Sequence, residues 1–80
     1  MAISEIRAPL PGVFYRKPSP EEPSYKEVGD TVAKGDVIGL IEVMKTFTQV
    51  KSEVDGTIVE FQADTDDPVM AGQVLATVEG

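Results

Sequence analysis

Neither cysteine nor histidine occurs in the 80 residues. Without cysteine there is no disulfide framework, no thiolate nucleophile and no thiolate metal site, so a domain this small has to be held by packing alone. Without histidine the commonest general base and the commonest zinc ligand are both missing, which leaves carboxylates, lysines and tyrosines as the titratable chemistry. No stretch approaches the roughly 20 apolar residues that cross a bilayer. The start Met1-Ala-Ile-Ser-Glu5 also lacks the basic and apolar regions of a secretory signal. The cytoplasm is therefore the expected compartment. At 41% apolar, the chain has material for one core and is expected to form a single domain over residues 1–80.

Basic residues are scarce. Seven Lys and Arg against fourteen Asp and Glu give a net charge of −7, which argues against nucleic acid and anionic membrane as partners. All seven basic residues fall within residues 1–52, where seven acids balance them, so residues 53–80 carry the whole net charge. Those acids read as a solvated surface, including Asp64-Thr-Asp-Asp67, which lacks the glycine and distal glutamate of a calcium loop.

No amphipathic helical period lasts more than a turn, whereas short β-rich runs recur between Gly, Pro and Asp punctuation. The fold class is all-β, with strands expected over Gly12–Arg16, Asp36–Val43, Thr46–Ser52, Thr57–Gln62 and Gln73–Glu79. Met1 to Arg7 read as a lead-in to the domain. An internal repeat is the most informative feature: residues 29–42 lie over residues 66–79 at an offset of 37, matching Asp30 to Asp67, Val32 to Val69, Gly35 to Gly72 and Ile41 to Val78. Each copy reads as turn, short strand, Gly turn, strand. Pro11-Gly-Val13 matches Asp55-Gly-Thr57 at an offset of 44, so the first half carries seven extra residues between Phe14 and Gly29. Pro18-Ser-Pro-Glu-Glu-Pro23 lies there, and three prolines in six positions make it a protruding loop over about 17–26. Val37, Ile41 and Val74 are expected in the core.

Glu42-Val-Met-Lys-Thr-Phe47 falls at the junction of the halves, with Lys45 at the turn of one hairpin. Two-residue hairpin turns favour Asn-Gly or Gly-first pairs, because their backbone needs positive φ, and Met44-Lys45 breaks that rule. Rules tend to break where function sets the residue. Spacing alone nevertheless favours an ordinary surface lysine over a functional one.

Glu42-Val-Met-Lys45 between two β-rich halves resembles the biotin attachment motif of biotinyl domains, usually Glu-Ala-Met-Lys-Met. Phe14-Tyr-Arg-Lys-Pro-Ser-Pro20 followed by Glu27-Val-Gly29 resembles the thumb of the biotin carboxyl carrier family of bacterial acetyl-CoA carboxylase. Val43 and Thr46 stand where that family usually has Ala and Met, and Lys17 where it commonly has a hydroxyl residue. The resemblance implies a flattened β-barrel (a barrel-sandwich hybrid) of two four-stranded antiparallel sheets with pseudo-twofold symmetry. It also implies a carrier with no catalytic residues and no metal, in which biotin is covalently attached to Lys45, with Met44 and Glu42 read by a biotin protein ligase. Thumb residues Lys17, Pro18, Ser19 and Pro20 would contact the biotin. Further implied partners are a biotin carboxylase and a carboxyltransferase acting on acetyl-CoA or another acyl-CoA. In the second half the counterpart of Lys45 would fall at position 82, so the tip and the termini are expected at opposite ends. The rival readings are a lipoyl-type carrier domain, which usually shows Asp-Lys-Ala at the tip, and an unmodified β-barrel interaction module.

Overall fold

A computed structural model describes residues 2–19 and 21–80; the expectation for Pro20 lies outside the described residues. The chain forms eight strands: β1 Ile3–Arg7, β2 Gly12–Tyr15, β3 Thr31–Val32, β4 Val37–Val43, β5 Thr46–Lys51, β6 Gly56–Phe61, β7 Asp67–Val69 and β8 Val74–Glu79. They make two four-stranded antiparallel sheets, in the orders β1-β8-β6-β3 and β5-β4-β2-β7. Moving each strand four places along the chain converts one order into the other. The halves are therefore interlocked, each lending two strands to each sheet, in a flattened body of 38 × 27 × 19 Å.

The five strands expected from periodicity are present, each within one residue of its expected ends. Ile3–Arg7, expected to lie ahead of the domain, is instead its first strand: it pairs along β8 and buries Ile6. Its register shows why. Ile3 pairs with Glu79 as Phe47 pairs with Glu42, so β1 is the counterpart of β5 at the same offset of 44 that relates Gly12 to Gly56. The ends of the chain take the place of a second tip, where the Gly80 amide donates to the Ala2 carbonyl at 3.0 Å.

The turns repeat as well. Asp30 and Asp67 accept from the amides three residues back, both at 2.8 Å, and Asp36 and Gln73 do the same at 2.9 and 3.0 Å. Asp64 and Asp67 of Asp64-Thr-Asp-Asp67 thus serve the backbone of a turn.

Ile41 is fully buried as expected, but Val37 and Val74 are only half-buried and lie outside the core cluster. Both sit where the register shifts, opposite Lys51 and Arg7, and the extra residue turns Ile38 and Leu75 inward in their place. The centre of the core is also unequal in its two halves. Phe14 is fully buried, and a Cβ on Gly39 would come within 2.5 Å of its ring. The counterparts in the other half are Ile58 and Ala76, a smaller side chain over a slightly larger one, so the summed volume is shared out differently. Gly39→Ala should therefore cost about 1–3 kcal/mol by overpacking, and somewhat less in a Phe14→Leu background, where the Tyr15 carbonyl, 2.7 Å from the same Cβ, still opposes it. Urea midpoints of the four proteins check this; equal costs in both backgrounds would contradict the contact.

Candidate functional site

β4 and β5 pair through Val43 and Thr46, leaving Met44 and Lys45 as the two central residues of the turn. Their φ angles are 51° and 66°, so both are left-handed, the type I′ arrangement whose twist matches that of the flanking strands. Neither residue is glycine or asparagine, and each left-handed non-glycine residue costs roughly 1–2 kcal/mol. The turn thrusts both side chains outward: Met44 is 92% exposed and Lys45 is exposed. The ion pairs among the described residues use Arg7, Arg16 and Lys26 and leave the Lys45 amine in solvent.

Residues directly opposite one another in a sheet share a face. Val13, Glu42 and Phe47 are aligned across β2, β4 and β5, and Tyr15, Leu40 and Gln49 follow two residues on. The Tyr15 hydroxyl donates to Glu42 Oε1 at 3.0 Å, and the Tyr15 and Phe47 rings lie 6.3 Å apart at 55°. Above this face stands the loop that follows β2. Between them is a cleft of about 420 Å³, lined by Tyr15, Glu42 and Phe47 of the sheet, by Lys17, Pro18 and Ser19 of the loop, and by Thr65 and Asp66 of the β6–β7 turn. Asp66 has φ 72° where the first half has Gly29 at φ 95°. The turn that brings it here is thus the counterpart of the one before β3.

The loop is fastened at its base. Arg16 lies over the Phe61 ring at 4.0 Å, approaches Glu27 at 3.4 Å and Asp64 at 3.6 Å, and takes the Tyr25 amide on its carbonyl. Its Nε is buried without a partner among the described residues, so the stacking, the two acids and the Lys26 carbonyl, which accepts from Nη2 at 3.4 Å, carry the guanidinium. On the return side Lys26 donates to the Thr31 carbonyl at 3.1 Å and sits 3.5 Å from Asp36. Asp36 is held below the usual carboxylate range, first by the Ala33 amide it accepts, and also by Lys26.

Of the residues singled out from sequence, Lys45 and Met44 form the tip, while Glu42, Lys17, Pro18 and Ser19 meet in the cleft beside it. Tyr15, Phe47, Thr65, Asp66 and the clamp residue Arg16 were not expected. Alternation could have flagged Tyr15, since Phe14 faces inward, and the offset of 37 ties Asp66 to Gly29.

The biotin/lipoyl family described as "Biotin-requiring enzyme" matches residues 4–78. Among curated proteins, the chain is 43% identical over 63 residues to the chloroplastic biotin carboxyl carrier protein of acetyl-CoA carboxylase of Glycine max, covering 79% of this chain and 24% of that one. It is 38% identical over 73 residues to the biotin carboxyl carrier protein of acetyl-CoA carboxylase of Pseudomonas aeruginosa, covering 91% of this chain and 47% of the other. The chain thus spans between about a quarter and about half of these relatives. Among solved structures, the crystal structure of Kluyveromyces lactis urea carboxylase matches 99% of this chain and 6% of its own, with a TM-score of 0.79 and 28% identity.

The Tyr15 hydroxyl titrates above its ordinary value of 10.0, first because it donates to Glu42, then through burial and the charges of Glu42 and Asp66. A raised value in the folded state means that the neutral form is favoured there. The stability this adds is complete below the unfolded value and drains away as pH rises through the folded one. Ring ¹³C shifts of Tyr15 should report a midpoint above 10.0, and Glu42→Gln should bring it back toward that value. A midpoint indifferent to Glu42→Gln would contradict the hydrogen bond.

Proposed function

Because the chain belongs to the family of biotin-requiring enzymes, we propose that it is the biotin carboxyl carrier of an acetyl-CoA carboxylase or a related acyl-CoA carboxylase, with biotin attached at Lys45. The observation that carries this reading is the Lys45 amine, held out in solvent on a left-handed two-residue turn of a barrel whose relatives are named as such carriers. The residues present fit the group: the amine is unobstructed, and the cleft beside it offers aromatic walls and carboxylate acceptors.

An ammonium must lose its proton before it can attack, and among the described residues the ion pairs do not involve Lys45, so the biotin protein ligase has to supply the base. Lys45 Nζ then attacks the acyl carbon of biotinyl-AMP. The new amide bond forms, AMP leaves with the electron pair of the broken C–O bond, and the ligase keeps the proton. Met44, which is 92% exposed at no benefit to the fold, and Glu42 are the contacts offered to that ligase. Once in place, biotin supplies a ureido nitrogen that takes up a carboxyl group at a biotin carboxylase and yields it at a carboxyltransferase. The chain does no bond-making of its own in that cycle. Its tip tethers the reacting ring and raises its local concentration at both enzymes. We read residues 17–26 as the thumb of this carrier type, with Lys17, Pro18 and Ser19 facing the ring.

Lys45→Arg keeps the charge and removes the acylable amine. Expressed with a biotin ligase, the parent protein should give a strong streptavidin blot and the variant none; an undiminished signal from the variant would overturn the assignment.

A further inference from the structure

The cleft beside the tip is unequal in charge. Phe47, Tyr15 and Pro18 supply its apolar walls, and two carboxylates, Glu42 and Asp66, stand against one cation, Lys17, on the exposed loop. The Tyr15 hydroxyl occupies one oxygen of Glu42 at 3.0 Å, which leaves the second to accept from a ligand. Lys17 is exposed, so its charge is screened by solvent, whereas Glu42 is half-buried and both Glu42 and Asp66 act on the Tyr15 proton. Glu42 lies two residues below the tip on the strand that enters the turn, about 7 Å at the rise of a strand, so a ring on an extended lysyl arm can fold back over it. An uncharged ring bearing N–H groups can donate to Glu42. A ring in which one N–H has given way to a carboxylate loses that donor and meets two like charges.

We propose that this cleft is a charge-selective rest site, in which Glu42 and Asp66 hold the uncharged, N–H-bearing ring tethered to Lys45 and turn out the same ring once it carries a carboxylate. The proposal rests on Lys45 as the attachment residue and gives the neighbouring cleft a specificity of its own. A carrier built this way shelters its unloaded end and presents its loaded end to the enzyme that consumes the carboxyl group.

The test compares three forms of the whole chain acylated at Lys45: with biotin, with N-methoxycarbonyl-biotin, which adds neutral bulk, and with N-carboxymethyl-biotin, a stable anion. Docking is read from NOEs between the attached ring and the Phe47 and Tyr15 rings. The biotinyl form should dock, and the anionic form should show a docked-to-free ratio about tenfold lower. That loss should shrink in high salt and in Asp66→Asn, and shrink further when Glu42→Gln is added. The neutral bulky form should lose less than the anion. Equal docking of the biotinyl and anionic forms would overturn charge selection, as would expulsion of the neutral bulky form to the same degree as the anion. Absence of docking in all three would overturn the rest site while ligase labelling of Lys45 still upheld the carrier reading. Failure of the ligase to label Lys45 would instead remove the reading on which the rest site depends.

Discussion

The left-handed backbone of Met44 and Lys45 is the constraint on which the site depends. Neither residue favours that conformation, and together they forgo roughly 2–4 kcal/mol relative to an unstrained turn. The strands on either side supply the compensation. β4 carries Ile38 and Ile41, both fully buried, and β5 carries Val50, so the hairpin is held from the core and the turn has to follow the register those residues set. An exposed lysine presented this way needs no contacts of its own. Its direction comes from the backbone, and its freedom begins only beyond the Cα.

The twofold relation explains how a chain with so little apolar material closes a barrel. Each sheet takes two strands from each half, so neither half has a complete sheet to itself, and the four capped turns occur as two matched pairs. Departures from the symmetry are informative for that reason. The core tolerates one, Phe14 over Gly39 against Ile58 over Ala76, because volume is conserved. The others gather near the tip: the inserted loop, its Arg16 clamp, and Asp66 in the place of Gly29. The first half thereby gains a cleft beside its tip, whereas the corresponding place in the second half holds the hydrogen bond between Gly80 and Ala2.

The repeat at an offset of 37 made the paired turns and the long strands legible, because glycine, aspartate and β-branched residues recur there at fixed places. β1 is not legible in the sequence because it buries one large side chain, Ile6, and its alternation is brief. Only extending the offset of 44 back to Ile3 would have found it. Val37 and Val74 were misplaced by bulges, which shift a strand by one residue and exchange its faces without any change in composition. The tip motif was legible through family resemblance, whereas the cleft was not. Tyr15, Phe47 and Asp66 come from three segments far apart in sequence, and only the register and the inserted loop bring them together.

Presentation of Lys45 depends on whether the fold holds the tip. Backbone ¹⁵N relaxation of the unmodified chain measures this directly. A turn fixed by its strands should give Met44 and Lys45 order parameters near the value of about 0.85 typical of rigid backbone. Values below about 0.6, as in a flexible loop, would show that the left-handed turn is one conformer among many and that the strands do not aim the lysine.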